Sequence, residues 1–212
     1  MIRMALTKGR IEEKALEMLG ACGYDVSELE PDRRGRKLFF RVGNADIEIV
    51  LAKAADVITY VSHGVCDAGI VGKDTIMESD GRFHELLDLN FGRCRFALAG
   101  PAGKYDEFRH GYGHKIIASK YPRVTKNYFD SLGSDVEIVK IEGSVELAPL
   151  LGLSDAIVDI VETGSTLRAN GLEVWEDVAR ISARLIANVA SVKLKKAEID
   201  PLAAALETRI ED

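Results

Sequence analysis

Asp155–Leu172 reads DAIVDIVETGSTLRANGL, and the order of residue types in it decides how the rest of the chain is read. Ala156 to Val158 is a short apolar run, broken by an acid at Asp159 and resumed by Ile160 and Val161. Short, β-branched and bounded by turn residues, it predicts a buried strand. Glu162, Thr163, Gly164, Ser165 and Thr166 follow at once. Small residues let backbone N–H groups converge on an anion, and the hydroxyls add further donors. Asp159 is not there for a phosphate, because like charges repel; it suits sugar hydroxyls or a metal. Strand, acid and hydroxyl-rich anion loop together describe a site for a phosphorylated sugar.

The chain around this stretch has 212 residues, room for one large domain or two small ones, and is long enough to bury about 70% of its unfolded surface. Hydrophobic residues make up 47% and charged residues 29%, the balance of a soluble globular protein. A formal net charge of −6 argues against nucleic acid as the main partner, since a polyanion is met by a basic surface. Cys22, Cys66 and Cys94 are an odd number without CxxC spacing, which predicts reduced thiols and neither a disulfide nor a zinc framework. His63, His84, His110 and His114 are scattered, so no protein metal site is expected. The amino terminus MIRMALTKGR lacks a signal-peptide apolar core, and no later run approaches a membrane span. A cytoplasmic protein is expected, with no membrane contact.

Ahead of the central stretch, Ile2–Leu6 predicts a strand that ends at Thr7-Lys8-Gly9-Arg10. Ile11, Ala15, Leu19 and Cys22 then recur at helical spacing, with Glu12 and Glu13 in the first turn where the dipole favours acids. Pro31–Lys37, PDRRGRK, reads as a charged loop, and Leu38–Val42 and Ile47–Leu51 as strands joined at Gly43-Asn44. Asp56 is the expected N-cap of a helix over Val57–Ser62. Ala68–Val71 is a strand and Gly72-Lys73-Asp74 a turn; its glycine spacing does not make a P-loop, and Asp74 stands where that loop needs Ser or Thr. Further strands are read at Arg93–Gly100, His114–Ser119 and Val136–Ile141, with a helix over Thr125–Leu132 and Ser144 as N-cap of a short one. Val174–Ala187 alternates enough for one bent strand or two, and Asp200-Pro201 looks like a cap and first helical position.

Strands alternating with short helices predict an α/β fold with mainly parallel sheets. The last strand and helix lack partners in the second set and are expected to return to the first. That gives two domains, 1–93 plus 176–212 and 94–175, in a periplasmic-binding-protein-like (type II) arrangement with a ligand cleft between them. Ligands of such folds bind at the carboxyl ends of strands. Thr7–Arg10, Gly72–Asp74, Ser119–Pro122 and Thr163–Thr166 all sit at such ends. Taken alone, Lys8 and Arg10 would be solvated surface charges; that convergence favours a ligand role.

The chain resembles the ATP phosphoribosyltransferase family. Glu146, Gly152, Ser154, Ile157, Asp159, Ile160, Thr163, Gly164, Thr166 and Leu167 fill every position of that family's signature. TKGRI at Thr7–Ile11, GRKL at Gly35–Leu38, DVITYV at Asp56–Val61, SKYP at Ser119–Pro122 and SARLIAN at Ser182–Asn188 extend the likeness over nearly the whole chain. Lys53-Ala54, Ile58 and Gly35 depart from residues common in the family, which leaves the register before Asp56, and the roles of Arg36 and Lys53, open. The length is that of the family's short form, which lacks the histidine-binding regulatory domain. The resemblance then implies a partner, an inactive relative of histidyl-tRNA synthetase, in a hetero-oligomer, together with a self-dimer.

What the resemblance implies chemically is attack by N1 of ATP on C1 of phosphoribosyl diphosphate, with release of pyrophosphate. N1 has a free lone pair, so no general base is needed, and no catalytic dyad is visible. Asp159 is the expected catalytic residue, near the ribose hydroxyls and the developing oxocarbenium charge. Phosphoribosyl diphosphate is assigned to Asp159, Glu162, Thr163, Gly164, Ser165 and Thr166. ATP and pyrophosphate are assigned to Lys8, Gly9, Arg10, Arg36, Lys53, Gly72, Asp74 and Tyr121. Mg²⁺ is expected as a substrate-bound ion, held by phosphates and water rather than by a protein cage. Against these stand plainer readings: Glu146 as a first-turn acid or a ligand, Gly152 as a helix stop, Tyr121-Pro122 as a turn, Trp175 as packing. Two other functions compete. A type I phosphoribosyltransferase would carry paired acids before the loop, where Asp159 is followed by Ile160; a solute-binding protein would carry a secretion signal.

Overall fold

The computed structural model describes residues 1–210, and of Pro31 the backbone alone. The chain runs β1 (Ile2–Thr7), α1 (Arg10–Ala21), α2 (Pro31–Arg34), β2 (Phe39–Arg41), β3 (Ile47–Ala52), α3 (Ala54–Ser62), β4 (Ala68–Gly72), α4 (Lys73–Glu78) and β5 (His84–Asp88). It continues through β6 (Cys94–Pro101), α5 (Tyr105–His110), β7 (Ile116–Ser119), α6 (Pro122–Ser131), β8 (Glu137–Lys140), α7 (Leu147–Leu150), β9 (Ala156–Val161), α8 (Ser165–Ala169) and β10 (Leu172–Ile181). It closes with β11 (Ala183–Ala187), α9 (Ser191–Leu194) and α10 (Lys196–Glu207). Two compact units result: Met1–Gly92 with Ser182–Asp212, and Arg93–Ile181.

The second unit thus runs past residue 175, because β10 stays paired with β6 as far as Ile181. Glu211 and Asp212, the end of the segment expected to return to the first domain, lie outside the described residues.

In the first unit the sheet order is β2-β3-β1-β4-β11-β5. β3, β1 and β4 are parallel; β2, β11 and β5 are antiparallel to their neighbours. Alternation along each strand feeds two apolar layers. Ile2, Met4, Leu6, Ile49, Leu51, Ile70 and Leu185 face Leu19 of α1 and Ile199, Leu202 and Leu206 of α10. Ala5, Val50, Val71 and Ile186 face Val57, Ile58 and Val61 of α3. Glycine at 69 is required by that second contact: a Cβ there would lie 2.8 Å from Val57 and 3.0 Å from Val61.

In the second unit the order is β10-β6-β9-β7-β8, with β9, β7 and β8 parallel and β10 and β6 antiparallel. Ala97, Ala99, Ala118, Ile157 and Val161 pack under Ala148 of α7 and Leu167 of α8. Both sheets are therefore mixed rather than mainly parallel: parallel pairing is confined to three neighbouring strands in each, and the remaining strands pair antiparallel.

Several local expectations are corrected. α3 starts at Ala54 with Lys53 in the N-cap position, so Asp56 is a first-turn acid that favours the helix dipole. Gly72-Lys73-Asp74 is a strand end running directly into α4, not a free turn. PDRRGRK contains a helical turn, α2, before Gly35 reverses the chain at φ 52°. α7 has Glu146, not Ser144, in the N-cap position. Pro201 lies inside α10, which already begins at Lys196.

Candidate functional site

β9 delivers Asp159 to the face of its sheet that carries Ile157 and Val161, beneath α7 and α8. Beyond Val161 the chain turns through Gly164, left-handed at φ 72° and ψ 10°, and enters α8. Leu167, buried in the core of this unit, pins the helix and so fixes the loop before it. The hydroxyl of Thr163 spans the turn. It accepts from the Ser165 N–H at 3.3 Å and lies 3.0 Å from the Ser165 hydroxyl.

Asp159, Glu162, Thr163, Gly164, Ser165 and Thr166 line one hollow of about 350 Å³, together with Glu146 from the N-cap position of α7. The structure therefore brings together every residue of the predicted phosphoribosyl diphosphate set. The Asp159 carboxylate accepts from the Ile160 N–H at 2.8 Å. Burial pushes the Asp159 carboxyl above the usual carboxylate range and Glu146 adds to that, while the Ile160 N–H and Lys120 pull the other way. A half-buried acid beside a second acid holds donors well: sugar hydroxyls, or a cation brought by the ligand.

Lys120 and Tyr121 follow β7, whose Ser119 pairs in parallel with Val158, so they share the carboxyl edge of the sheet with the loop. The buried Ser119 hydroxyl donates to the Val158 carbonyl at 2.6 Å and accepts from the Tyr121 N–H at 2.9 Å, which fixes the turn. The Tyr121 ring stands edge-on to Phe96 at 4.8 Å and does not line the hollow. Trp175 packs with Tyr105 and Phe108 at centroid distances of 5.7 and 5.0 Å.

In the first unit the carboxyl ends of β3, β1 and β4 are neighbours, with Thr7 opposite Ala52 and Leu6 opposite Ile70. Lys8–Arg10, Lys53 and Gly72–Asp74 all leave from that one edge, and the Lys8 N–H continues the ladder onto the Ala52 carbonyl at 3.0 Å. Lys8, Gly9 and Arg36 line a hollow of about 450 Å³. Arg10, Lys53, Gly72 and Asp74 lie at the same edge without lining it. Gly9, at φ 95°, needs to be glycine, and its N–H donates to the Glu12 carboxylate at 3.3 Å. Glu12, its side chain only 8% exposed, also pairs with Arg34. Gly72 is crowded by the Asp74 side chain, which a Cβ at 72 would meet at 2.1 Å.

Sequence reasoning missed Lys120, Arg34, Lys37 and the anchoring part of Glu12. Lys120, whose charge acts on Asp159, was legible as the cation inside Ser119–Pro122, and Arg34 and Lys37, which line the first unit's hollow, as members of the basic run, but nothing local distinguishes such cations from solvated ones. Among the described residues no group of three or more His, Cys, Asp or Glu could hold a metal, and no helix is long and apolar enough to cross a membrane. Cys22, Cys66 and Cys94 are in no disulfide among the described residues, and burial pushes the Cys66 thiol up to about 11.

Mixed sheets in two α/β units, with an acid-tipped strand feeding a Thr-Gly-Ser-Thr anion loop, define an α/β protein built to hold a phosphorylated ligand. Comparison with known proteins agrees and narrows this. The family model HisG, ATP phosphoribosyltransferase, matches residues 53–208. An ATP phosphoribosyltransferase of Clostridium kluyveri is 55% identical over 100% of this chain and 94% of its own length. One of Clostridium botulinum is 56% identical over 93% of this chain and 92% of its own. The solved ATP phosphoribosyl transferase (HisG:HisZ) complex from Thermotoga maritima includes a chain with TM-score 0.78 and 34% identity, covering 99% of this chain and 98% of that one. The Bordetella pertussis BvgS VFT2 domain, at 13% identity and TM-score 0.55 over 99% of this chain and 93% of its own, shares the fold. The chain belongs to the ATP phosphoribosyltransferase family, whose members are enzymes of the first step of histidine biosynthesis.

Proposed function

We propose that this chain transfers the phosphoribosyl group of phosphoribosyl diphosphate to N1 of ATP, releasing pyrophosphate and forming phosphoribosyl-ATP. The observation that carries this reading is the single hollow holding Asp159 and the Thr163–Thr166 loop. The N1 lone pair forms the new bond to C1 of the ribose as the C1–oxygen bond to pyrophosphate breaks. Positive charge grows on the ring between the two events. Asp159 accepts hydrogen bonds from the ribose hydroxyls and faces that charge, while the loop N–H groups and hydroxyls hold the 5-phosphate. Keeping the Asp159 carboxyl ready to bind donors, rather than satisfied by a protein cation, suits this work.

Lys8, Arg36 and the Gly9 turn are assigned to the phosphates of ATP and of the leaving pyrophosphate. Arg10, Lys53, Gly72 and Asp74 are assigned to the same substrate from the shared edge, and Tyr121 only through its turn. Mg²⁺ fits the donor set: Asp159, Glu146 and Glu162 line one hollow, yet among the described residues no three acids, His or Cys are grouped closely enough to hold a metal, which suits an ion that arrives on substrate phosphates. It would supply neutralisation of the leaving pyrophosphate.

The Thermotoga maritima relative was solved as a HisG:HisZ complex. On that likeness this chain works in a hetero-oligomer with a histidyl-tRNA-synthetase-like regulatory subunit, and as a self-dimer, in the cytoplasm. The test is an assay of ATP, phosphoribosyl diphosphate and magnesium, with and without that subunit, following pyrophosphate and the chromophore of N1-substituted adenine. Absence of product in both arms overturns the proposal.

A further inference from the structure

The hollow that holds the Thr163–Thr166 loop has a charge imbalance. Asp159, Glu146 and Glu162 all line it, and among the described residues no Lys or Arg does. A sugar phosphate entering it meets three carboxyl groups, and like charges repel at such distances. The N–H groups and hydroxyls of the loop offset part of that with partial charges alone. A full positive charge has to come from just outside the lining.

Two cations are placed to supply it. Lys120 is the one whose charge acts on Asp159. Arg168 is the one held against the loop itself: a Cβ on Gly164 would lie 3.2 Å from Arg168 Nη1. The local sequence dictates that contact. Arg168 follows Gly164 by four residues, and its N–H donates to the Gly164 carbonyl at 3.1 Å, in the first turn of α8. Residues four apart share a helix face and side chains tilt toward the amino end, so a long side chain at 168 reaches back over 164. Leu167, buried beside it, fixes the rotation of the helix. Glycine at 164 therefore serves twice: it takes the left-handed turn, and it leaves the guanidinium room beside the loop backbone.

Nothing described in the chain occupies this guanidinium. Arg168 is exposed and makes no ion pair or side-chain hydrogen bond among the described residues. The positions three and four before it are Ser165 and Gly164, so no acid shares its face. Arginine presents a planar fork that meets phosphate oxygens two at a time, and such charge-assisted bonds are about twice as strong as neutral ones.

We infer that Arg168 completes the phosphate end of this site: its guanidinium binds the 5-phosphate of the sugar and makes the site select phosphorylated over unphosphorylated ribose. The inference rests on the phosphoribosyl reading of the hollow and adds to it a residue outside the ten-position family motif. Arg168 stays at the phosphate and takes no part at C1. It therefore holds the ground state and the transition state alike, so its loss raises KM and leaves kcat.

The test titrates the full chain by calorimetry with ribose 5-phosphate and, separately, with ribose. The wild type is expected to bind ribose 5-phosphate saturably, and ribose at least about tenfold more weakly. Arg168→Gln weakens ribose 5-phosphate about tenfold, the worth of one charge-assisted contact, and leaves ribose unchanged. Arg168→Lys, which keeps the charge and loses the fork, falls between the two. In the steady state, with the synthetase-like subunit present, Arg168→Gln raises KM for phosphoribosyl diphosphate about tenfold, while kcat and KM for ATP stay near wild type. Equal ribose 5-phosphate affinity in wild type and Arg168→Gln, or a fall in kcat with KM unchanged, overturns the assignment of Arg168 and leaves the phosphoribosyl reading standing. Wild-type chain that binds ribose 5-phosphate no better than ribose overturns that reading itself, and this inference with it.

Discussion

Asp159, at the carboxyl end of β9, and Glu146, in the N-cap position of α7, place two carboxyl groups in the same hollow. Burial first, and the neighbouring charge second, hold the Asp159 carboxyl above its ordinary value. The charged form of Asp159 is therefore destabilised where it stands, a strain held within the hollow.

That strain has a sign. A carboxyl whose folded pKa is raised binds more protons folded than unfolded, so its contribution to stability falls as pH rises from its unfolded pKa through its folded one. Above that window Asp159→Asn removes the penalty. The expected outcome at neutral pH is a higher Tm than wild type together with a loss of turnover of about 10²-fold or more. Thermal melts and steady-state rates on one preparation check both; a melting point that drops would mean that Asp159 stabilises the fold.

Thr163 and Gly164 shape the loop without reaching into the core. Thr163→Val removes the oxygen that holds Ser165 by its N–H and hydroxyl, and raises KM for phosphoribosyl diphosphate about tenfold. Gly164→Ala forces a side chain into the left-handed region, which costs about 1 kcal/mol, and puts its Cβ 3.2 Å from the Arg168 guanidinium. In both variants KM for ATP is expected to stay near wild type; a parallel rise in the two constants would place the loop elsewhere in the reaction.

Glu12 links Gly9 to Arg34 and so joins the turn after β1 to the last residue of α2. Glu12→Ala leaves both donors without their acceptor and costs about 1–3 kcal/mol. It also raises KM for ATP while leaving that for phosphoribosyl diphosphate nearly unchanged. Because the two side chains act as a pair, Arg34→Ala added to Glu12→Ala should cost less than the two single changes summed. A double-mutant cycle from chemical denaturation measures that coupling; strict additivity would show no link.

Glu176 on β10 accepts from the hydroxyls of Tyr105 and Tyr128, each at 2.6 Å, and from Arg109 at 2.7 Å. Burial works against its charged form, but the bonds from Tyr105, Tyr128 and Arg109 outweigh it and hold the carboxyl below the ordinary value. A depressed acid stabilises the fold above its unfolded pKa and loses that contribution as pH falls through the folded one. Glu176→Gln should therefore flatten the acid limb of the stability curve below about pH 4.5, the ordinary glutamate range, and lower stability at neutral pH by about 1–3 kcal/mol. Urea melts from pH 3 to 7 test this; an unchanged acid slope would assign the limb to other carboxylates.

How much was legible beforehand varied with the range of the interaction. β1, β3, β4 and β9 were readable because parallel central strands are buried on both faces and show as apolar runs. β5 was not read at all: HELLD neither alternates nor runs apolar, and it is a strand because β11 pairs along it. α5 was hidden for a similar reason, since YDEFRH owes its place to Tyr105 and Arg109 reaching Glu176. Asp56, Ser144 and Pro201 were misread by local rules. Capping propensities of about 1 kcal/mol yield to packing, and α3 extends to Ala54 because Val57, Ile58 and Val61 lie on the sheet.

The sequence by itself determined the chemistry: an acid at a strand end, a Thr-Gly-Ser-Thr anion loop, and cations after β1, all properties of consecutive residues. It also determined the family, since ten spaced positions in one window carry it. Tertiary structure alone decided which residues work together. Glu146 meets Asp159, Glu12 engages Arg34, and Tyr121 turns to Phe96 because strand pairing and helix burial bring distant segments to one edge or one face. Val174–Ala187 shows the division most plainly. Its alternation fits one strand or two, and only the partners settle it: β6 takes Leu172–Ile181 into one sheet, while β4 and β5 take Ala183–Ala187 into the other.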